Sequence, residues 1–262
     1  MNPSNPHALA AELEAAFLTR QTIQPFTDRF PFDLPQAYAV QLAWNQLRLQ
    51  AGDQVVGHKI GLTSKAAQEQ FKVFEPDFGL LWQSRQFHPT NGKVEVPAAL
   101  FGGPRLEGEI AFLLGQPLQG PQVTAEQVLA ATEAVAPAFE IVDTRLTAFP
   151  SNVFDSVADN ALFGGLVVGS WQRYTPDLDL SAIAMTLQHN GAPGTEGLGS
   201  ASMGHPARAV AWLANTLSTF GLGLVAGQTI ISGSLGRMLP GKAGDQFRLE
   251  MSGLSPITLE LI

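Results

Sequence analysis

The 262-residue chain contains no cysteine, which excludes thiolate nucleophiles, disulfides and sulfur-ligated zinc or iron. It is also short of positive charge, with 15 Lys and Arg against 23 Asp and Glu and a formal net charge of −8. No Lys/Arg cluster offers the basic stripe that a phosphate backbone requires, so nucleic acid is not an expected partner. Long apolar runs are missing too: no segment reaches the roughly 18 continuous apolar residues of a membrane helix. Met1-Asn2-Pro3-Ser4-Asn5-Pro6-His7 lacks the basic start and apolar run of a signal peptide. The expectation is a soluble cytoplasmic protein with no membrane partner. What is present is 45% apolar residues, with 26 glycines and 18 prolines spread along the chain rather than gathered in a linker. No internal repeat recurs. This composition reads as one turn-rich globular domain over residues 1–262.

The first section, residues 1–54, reads as mostly helical. Ala8 to Arg20 carries apolar residues at helical spacing, and a second helix begins at Leu34-Pro35, the proline suiting a first turn, and stops at Gly52. From Val55 the periodicity shortens. Strand-like runs cover Val55 to Leu62, Lys93 to Val96, Glu107 to Leu114, Phe139 to Val142, Leu162 to Val168, Ile183 to Asn190, Thr229 to Ser232 and Phe247 to Met251. Asn190-Gly191 is a hairpin signal. Two further helices are expected, Thr124 to Val135 and Pro206 to Phe220; in the latter Val210, Leu213, Ala214 and Leu217 have core spacing.

The chemistry-bearing residues lie in this β-rich part. In Leu106-Glu107-Gly108-Glu109-Ile110, two glutamates two residues apart project from one face of a strand while Ile110, Phe112 and Leu114 fill the other. Glu140 follows in a nearly uncharged stretch, where an unpaired buried carboxylate is costly. Three carboxylates are hard oxygen ligands suited to Mg²⁺ or Mn²⁺, leaving about three positions of an octahedral ion for water and a chelating substrate. A solvated strand edge is the competing explanation of the Glu-x-Glu pair.

Gly57-His58-Lys59-Ile60-Gly61-Leu62-Thr63-Ser64 places Lys59 on the same strand face as two glycines, which leave room for an anion to approach. Beside a cation, a partly buried Lys59 is expected to have a lowered pKa; an ordinary surface lysine is the alternative. Thr63 or Ser64 is expected to cap the helix-like run Lys65 to Lys72, and the free N–H groups of a helix start can seat a carboxylate. Phe74-Glu75-Pro76-Asp77-Phe78-Gly79 reads as a turn in which Asp77 serves the backbone, or else orients Lys59 or a water. Asp143 and Arg145 read as a structural ion pair. Asp159-Asn160 and Ser232-Gly233-Ser234 complete the polar inventory without a readable role.

Taken in order, these segments, with Asp155-Ser156-Val157-Ala158-Asp159-Asn160 and His205-Pro206-Ala207-Arg208, resemble the 2-keto-4-pentenoate hydratase and 4-oxalocrotonate decarboxylase group of the fumarylacetoacetate hydrolase superfamily. The resemblance runs through most of the chain. It implies an α+β fold with a mixed β-sandwich or β-roll core and a helical N-terminal portion, forming a single catalytic domain. It implies Glu107, Glu109 and Glu140 as ligands of Mg²⁺ or Mn²⁺, Lys59 and Asp77 as catalytic groups, and Ser64 and Ser234 near the substrate. The implied activity is hydration of 2-hydroxypenta-2,4-dienoate or a related dienoate in meta-cleavage aromatic catabolism, with the wording around Lys59, Asp77 and Ser234 closer to the hydratase branch. Decarboxylation of 4-oxalocrotonate, carbon–carbon bond hydrolysis and a non-catalytic partner subunit are the alternatives. A second carboxylate on the substrate would need a further cation, for which Arg105, Arg145 and His205 are the candidates. A homo-oligomer is expected, with association to other enzymes of the same pathway.

Overall fold

The computed structural model describes residues 5–262, apart from the side chains of residues 66, 70 and 71. The first four residues, part of the segment considered above for a leader, lie outside the described residues. Helix α1 spans Pro6–Thr19 and α2 Leu34–Gln50. Asp33 and Gln36 form a reciprocal capping box at the start of α2, with Pro35 in its first turn, so sequence-local hydrogen bonds fix where this helix begins. Arg48 on α2 reaches Glu14 on α1 at 3.1 Å and Asp53 at 2.7 Å, tying the pair together. The two helices bury Phe17 and Trp44 against Trp82, with ring centroids 4.9–6.0 Å apart in edge-on geometry. Fully burying a side chain of this size contributes roughly 1.5–3 kcal/mol.

The chain then alternates strands with short helices. In order come β1 (Val55–Gly61), α3 (Lys65–Phe71), β2 (Asp77–Trp82), β3 (Gln86–Phe87), β4 (Lys93–Val96) and β5 (Arg105–Leu114). Next are α4 (Ala125–Ala131), β6 (Thr132–Val142), α5 (Val153–Ala158), β7 (Phe163–Val168), β8 (Gln172–Arg173), β9 (Ala184–His189) and β10 (Ala192–Leu198). The last elements are α6 (Pro206–Thr219), β11 (Thr229–Ile231), β12 (Leu239–Pro240), β13 (Gln246–Met251) and β14 (Ile257–Leu261). One sheet has the order β2-β1-β11-β5-β6-β7-β3, with β12 alongside β5 and β8 alongside β6; the other has the order β10-β9-β13-β14-β4. Parallel pairing of β1 with β11, β3 with β7 and β14 with β4 makes both sheets mixed. The sheets meet where β5 turns Gly108 toward Leu249 and Met185 of the second sheet. A Cβ there would lie 2.7 Å from Leu249 Cδ1, so the close approach of the layers requires glycine. Glu107 and Glu109, one residue to either side, therefore point away from the sandwich interior.

The α+β architecture with a helical N-terminal section matches the expectation, and the hairpin at Asn190-Gly191 forms between β9 and β10 with both turn residues at positive φ. Several local expectations need correction. The helix expected over Thr124 to Val135 ends at Ala131, because residues 132–135 extend β6; Ala134 to Ala136 pair with β5 and are buried there. Burial between strands outweighs alanine's helical preference. Phe74 to Gly79 is not a turn throughout: Asp77 begins β2, opposite Gly61 of β1. Helix α5 and strand β14 were not anticipated.

Candidate metal centre and its cavity

Cross-strand register assembles the acidic cluster. Glu107 on β5 stands directly opposite Glu140 on β6, and Glu109 opposite Ala138. One carboxylate oxygen from each of Glu107, Glu109 and Glu140 lies within 4.8 Å of the other two. Glu109 and Glu140 are fully buried, which removes the solvated-edge explanation. Burial, reinforced by Glu140, pushes Glu107 up to about 8, and burial with Glu140 and Glu107 raises Glu109 well above the usual carboxylate range. Glu109 Oε2 accepts the Gly233 N–H at 2.6 Å, but its Oε1 and both oxygens of Glu140 have no hydrogen-bond partner. Buried oxygens left orphaned in this way could hold a cation. The donor set fits Mg²⁺ or Mn²⁺: hard oxygens only, with no sulfur or imidazole among them.

Lys59 enters from β1. Its Nζ is 3.0 Å from Glu140 Oε1, a distance without hydrogen-bond alignment, and donates to the Ala161 carbonyl at 2.9 Å. Burial lowers its pKa, but Glu140, Asp77, Glu107 and Glu109 together hold it above the ordinary lysine value. The expected lowering assumed an adjacent cation; beside carboxylates the direction reverses. Asp77 is buried at the start of β2, and burial raises its pKa while Lys59 partly opposes the rise. Asp77 Oδ1 is another buried oxygen without a partner.

These groups front a cavity of about 640 Å³. Its wall includes Lys59, Asp77, Glu107, Ser64 and Ser234, while Glu109 and Glu140 are buried and do not line it. Ser64 caps α3 by accepting the Ala67 N–H at 3.2 Å, as expected, and Ser234 donates its hydroxyl to the Gly236 carbonyl at 2.7 Å. Leu62, Phe149, Leu162, Leu235 and Met238 give the cavity an apolar side. Arg105 also lines it, stacked 4.0 Å from the Phe149 ring centroid and 3.7 Å from Met238 Sδ.

The other two candidate cations are engaged elsewhere. Arg145 does not pair with Asp143 as expected. It pairs with Asp159 at 2.5 Å and donates to the Phe163 carbonyl, while Asp143 accepts the N–H groups of Gly102 and Gly103. Asp143 sits where β6 ends and turns its carboxylate to that loop, leaving Arg145 to Asp159. His205 caps α6 by accepting the Ala207 N–H at 3.1 Å.

The model of the fumarylacetoacetate (FAA) hydrolase C-terminal family matches residues 46–261. The chain belongs to that family. Within it, this FAA-hydrolase-family chain is 46% identical over 249 residues to a 2-hydroxyhexa-2,4-dienoate hydratase of Comamonas testosteroni, covering 95% of this chain and 94% of that one. It is 40% identical over 262 residues to a 2-keto-4-pentenoate hydratase of Paraburkholderia xenovorans, covering 99% and 96%. Among solved structures it superposes on 4-oxalocrotonate decarboxylase from Pseudomonas putida G7, complexed with magnesium and adipate, with a TM-score of 0.94, 30% identity and coverage of 100% and 99%.

Four features of the FAA-hydrolase-family cavity escaped sequence reasoning. Ser156 and Arg237 line it, the first from a helix that was not anticipated and the second three residues past the Ser232-Gly233-Ser234 segment. The Ala161 carbonyl is a backbone group, which no side-chain motif reports. Asn160, Ala161 and Leu162 form a left-handed turn, with φ of 54°, 49° and 63°; each such non-glycine residue costs on the order of 1 kcal/mol. Only the Asp159-Asn160 dipeptide, asparagine tolerating this region better than most residues, hinted at it.

Proposed function

We propose that the chain is a divalent-metal-dependent hydro-lyase that adds water to 2-hydroxypenta-2,4-dienoate, or to a closely related 2-hydroxydienoate, and releases a 4-hydroxy-2-oxo acid. The observation that supports this most is the three-glutamate cluster beside one cavity, with orphaned oxygens on Glu109 and Glu140, together with an adjacent lysine and a second acid, Asp77, on the cavity wall. Glu107, Glu109 and Glu140 would hold Mg²⁺ or Mn²⁺. When bound, the ion supplies Lewis-acid stabilisation of negative charge on the substrate's oxygens. The mono- and dienoate names of the hydratase relatives support the substrate class.

The protein's own groups then handle protons and water. Conversion of the dienol to 2-oxopent-3-enoate removes the proton from the C2 hydroxyl and adds one at C5. Lys59 and Asp77, side by side on the cavity wall, are the exchanging pair. Water addition delivers hydroxide to C4 and a proton to C3, so the same pair can return a proton to the product. Ser64 and Ser234 line the same cavity and would contact the substrate's carboxylate end. The apolar side formed by Leu162, Leu235 and Met238 accommodates the hydrocarbon tail. The family resemblance supports reading the chain as one catalytic domain over residues 1–262, in the cytoplasm and as a homo-oligomer; the single domain is supported as well by a hydrophobic cluster that runs from Leu9 to Leu261.

Product identification by mass spectrometry tests the proposal. Purified protein with Mg²⁺ should convert freshly generated 2-hydroxypenta-2,4-dienoate to a species one water heavier, and chelator should stop it. Decarboxylation of 4-oxalocrotonate is a second activity worth assaying, because Arg105 and Arg237 both line the cavity and offer cations to a second carboxylate.

A further inference from the structure

We infer that the left-handed turn Asn160–Leu162 is a device that aims Lys59, and that Asn160 is its positioning residue. This inference rests on the proposed proton-transfer role of Lys59. A lysine side chain has a flexible four-carbon stem and three equivalent donors, so its ammonium is directed only by what it is bonded to. Among the described residues, the one hydrogen bond Lys59 Nζ makes is to the carbonyl of Ala161, at 2.9 Å. Glu140 Oε1 at 3.0 Å is an electrostatic neighbour without that alignment. The carbonyl therefore sets the rotation of the ammonium, on a lysine that lines the cavity.

The carbonyl points where it does because three successive non-glycine residues are held at positive φ, and such a conformation persists only when its surroundings enforce it. The enforcement is visible. Strand β2 is an edge strand, and the Asn160 side chain pairs with its open edge as another strand would. Asn160 Oδ1 accepts the Leu80 N–H at 2.8 Å, and Asn160 Nδ2 donates to the Leu80 carbonyl at 2.9 Å. Gly79 lets the turn come this close, since a Cβ there would lie 2.5 Å from the Asn160 carbonyl oxygen. Gly79 is in turn the β-partner of Lys59 itself. The clamp thus fixes the turn to the strand beside the lysine. Asp159, immediately before the turn, is pinned by Arg145, and the Leu162 carbonyl accepts the Asp143 N–H at 2.9 Å. Asn160 does not itself line the cavity, and its side-chain hydrogen bonds go to Leu80 rather than to the acidic cluster; it acts through Ala161 on Lys59.

The test compares Asn160→Ala and Asn160→Asp with Lys59→Ala and with the double variant Lys59→Ala/Asn160→Ala, in metal-loaded protein. Asn160→Asp keeps the acceptor for Leu80 N–H and loses the donor, so it serves if Asn160→Ala fails to fold. A clamp that aims Lys59 predicts that kcat falls by roughly 30-fold or more, with KM and the Mn²⁺ dissociation constant each within about threefold. In the Lys59→Ala background the Asn160 substitution should cost nothing further, because the group it positions is gone. Wild-type kcat in a folded Asn160 variant would overturn the inference. So would an additive loss in the double variant, which marks Asn160 as general support. Undiminished turnover in Lys59→Ala alone would instead overturn the role of Lys59, a distinguishable failure.

Discussion

Substitution of Gly61 by alanine probes the site without removing any reacting group. Gly61 stands opposite Asp77 in the β1–β2 pairing and shares a strand face with Lys59. An added Cβ would lie 2.2 Å from Asp77 Oδ1 and 3.5 Å from Lys59 Nζ. The Asp77 carboxylate must therefore retreat by about 1 Å to reach ordinary contact distance, while Lys59 need not move. Asp77 is only 2% exposed and lines the cavity, so its carboxylate yields by rotating away from its position beside Lys59. A misplacement of this size at a reacting group costs about 10²-fold in rate, or about 2.7 kcal/mol of barrier. Overpacking of the wall costs about 1–3 kcal/mol of stability, which in a chain of this size lowers Tm by roughly 2–12 °C. Gly61→Ala should thus remain folded at 25 °C, bind Mn²⁺ in calorimetry like the parent, and hydrate the dienoate about 100-fold more slowly. Because the whole effect runs through Asp77, Gly61→Ala should add little to Asp77→Asn in a double-mutant cycle. A Gly61→Ala enzyme with kcat within about threefold of the parent would refute the placement of Asp77 at the reacting centre.

Glu109→Gln should abolish Mn²⁺ binding by calorimetry and metal-dependent turnover, yet leave the chelator-treated protein at least as thermally stable as the parent, because it removes one of several mutually repelling buried carboxylates. Arg105 has no carboxylate within ion-pair distance among the described residues. Arg105→Met should therefore lower kcat/KM for a dienoate with a second, distal carboxylate by about 10-fold to 100-fold relative to the monocarboxylate, as one charge-assisted contact is worth about 1.5–3 kcal/mol; equal effects on both substrates would show that Arg105 does not read the tail. His58 is buried, its Nδ1 lacks a partner, and burial pushes its pKa down to about 4 from 6.5. The unfolded chain takes up that proton first, so the native state loses stability as pH falls from about 6.5 toward 4, by on the order of 3 kcal/mol in total. Urea titrations should show this slope, and it should flatten in His58→Gln.

Much of the site could be read from the chain because period-two alternation fixes faces. In a strand over residues 107–114, Glu107 and Glu109 share a side, and the antiparallel pairing of β5 with β6 brings Glu140 opposite Glu107. Lys59 was readable for the same reason, with Gly61 on its face. What alternation does not give is which side chain completes a loop. Asp143 and Arg145 are two residues apart and look like a pair, but the chain turns at the end of β6 and Arg145 finds Asp159 instead. Asp77 follows Pro76, a turn signal, yet its strand forms because β1 supplies a pairing edge from some 20 residues earlier. The segment 132–135 follows directly on α4 and includes Ala134, which favours a helix, and only the sheet on either side makes it a strand. The Ala161 carbonyl lay beyond any motif, since a backbone oxygen has no letter in the sequence.

The most direct test of the central claim is mass-spectrometric identification of the product formed from 2-hydroxypenta-2,4-dienoate by Mg²⁺-loaded protein, run beside a chelator-treated sample and a no-enzyme control. A product heavier by one water, formed only with metal and lost on chelation, is the predicted result. No hydration by the metal-loaded protein, or hydration that persists undiminished after the metal is removed, would contradict the account.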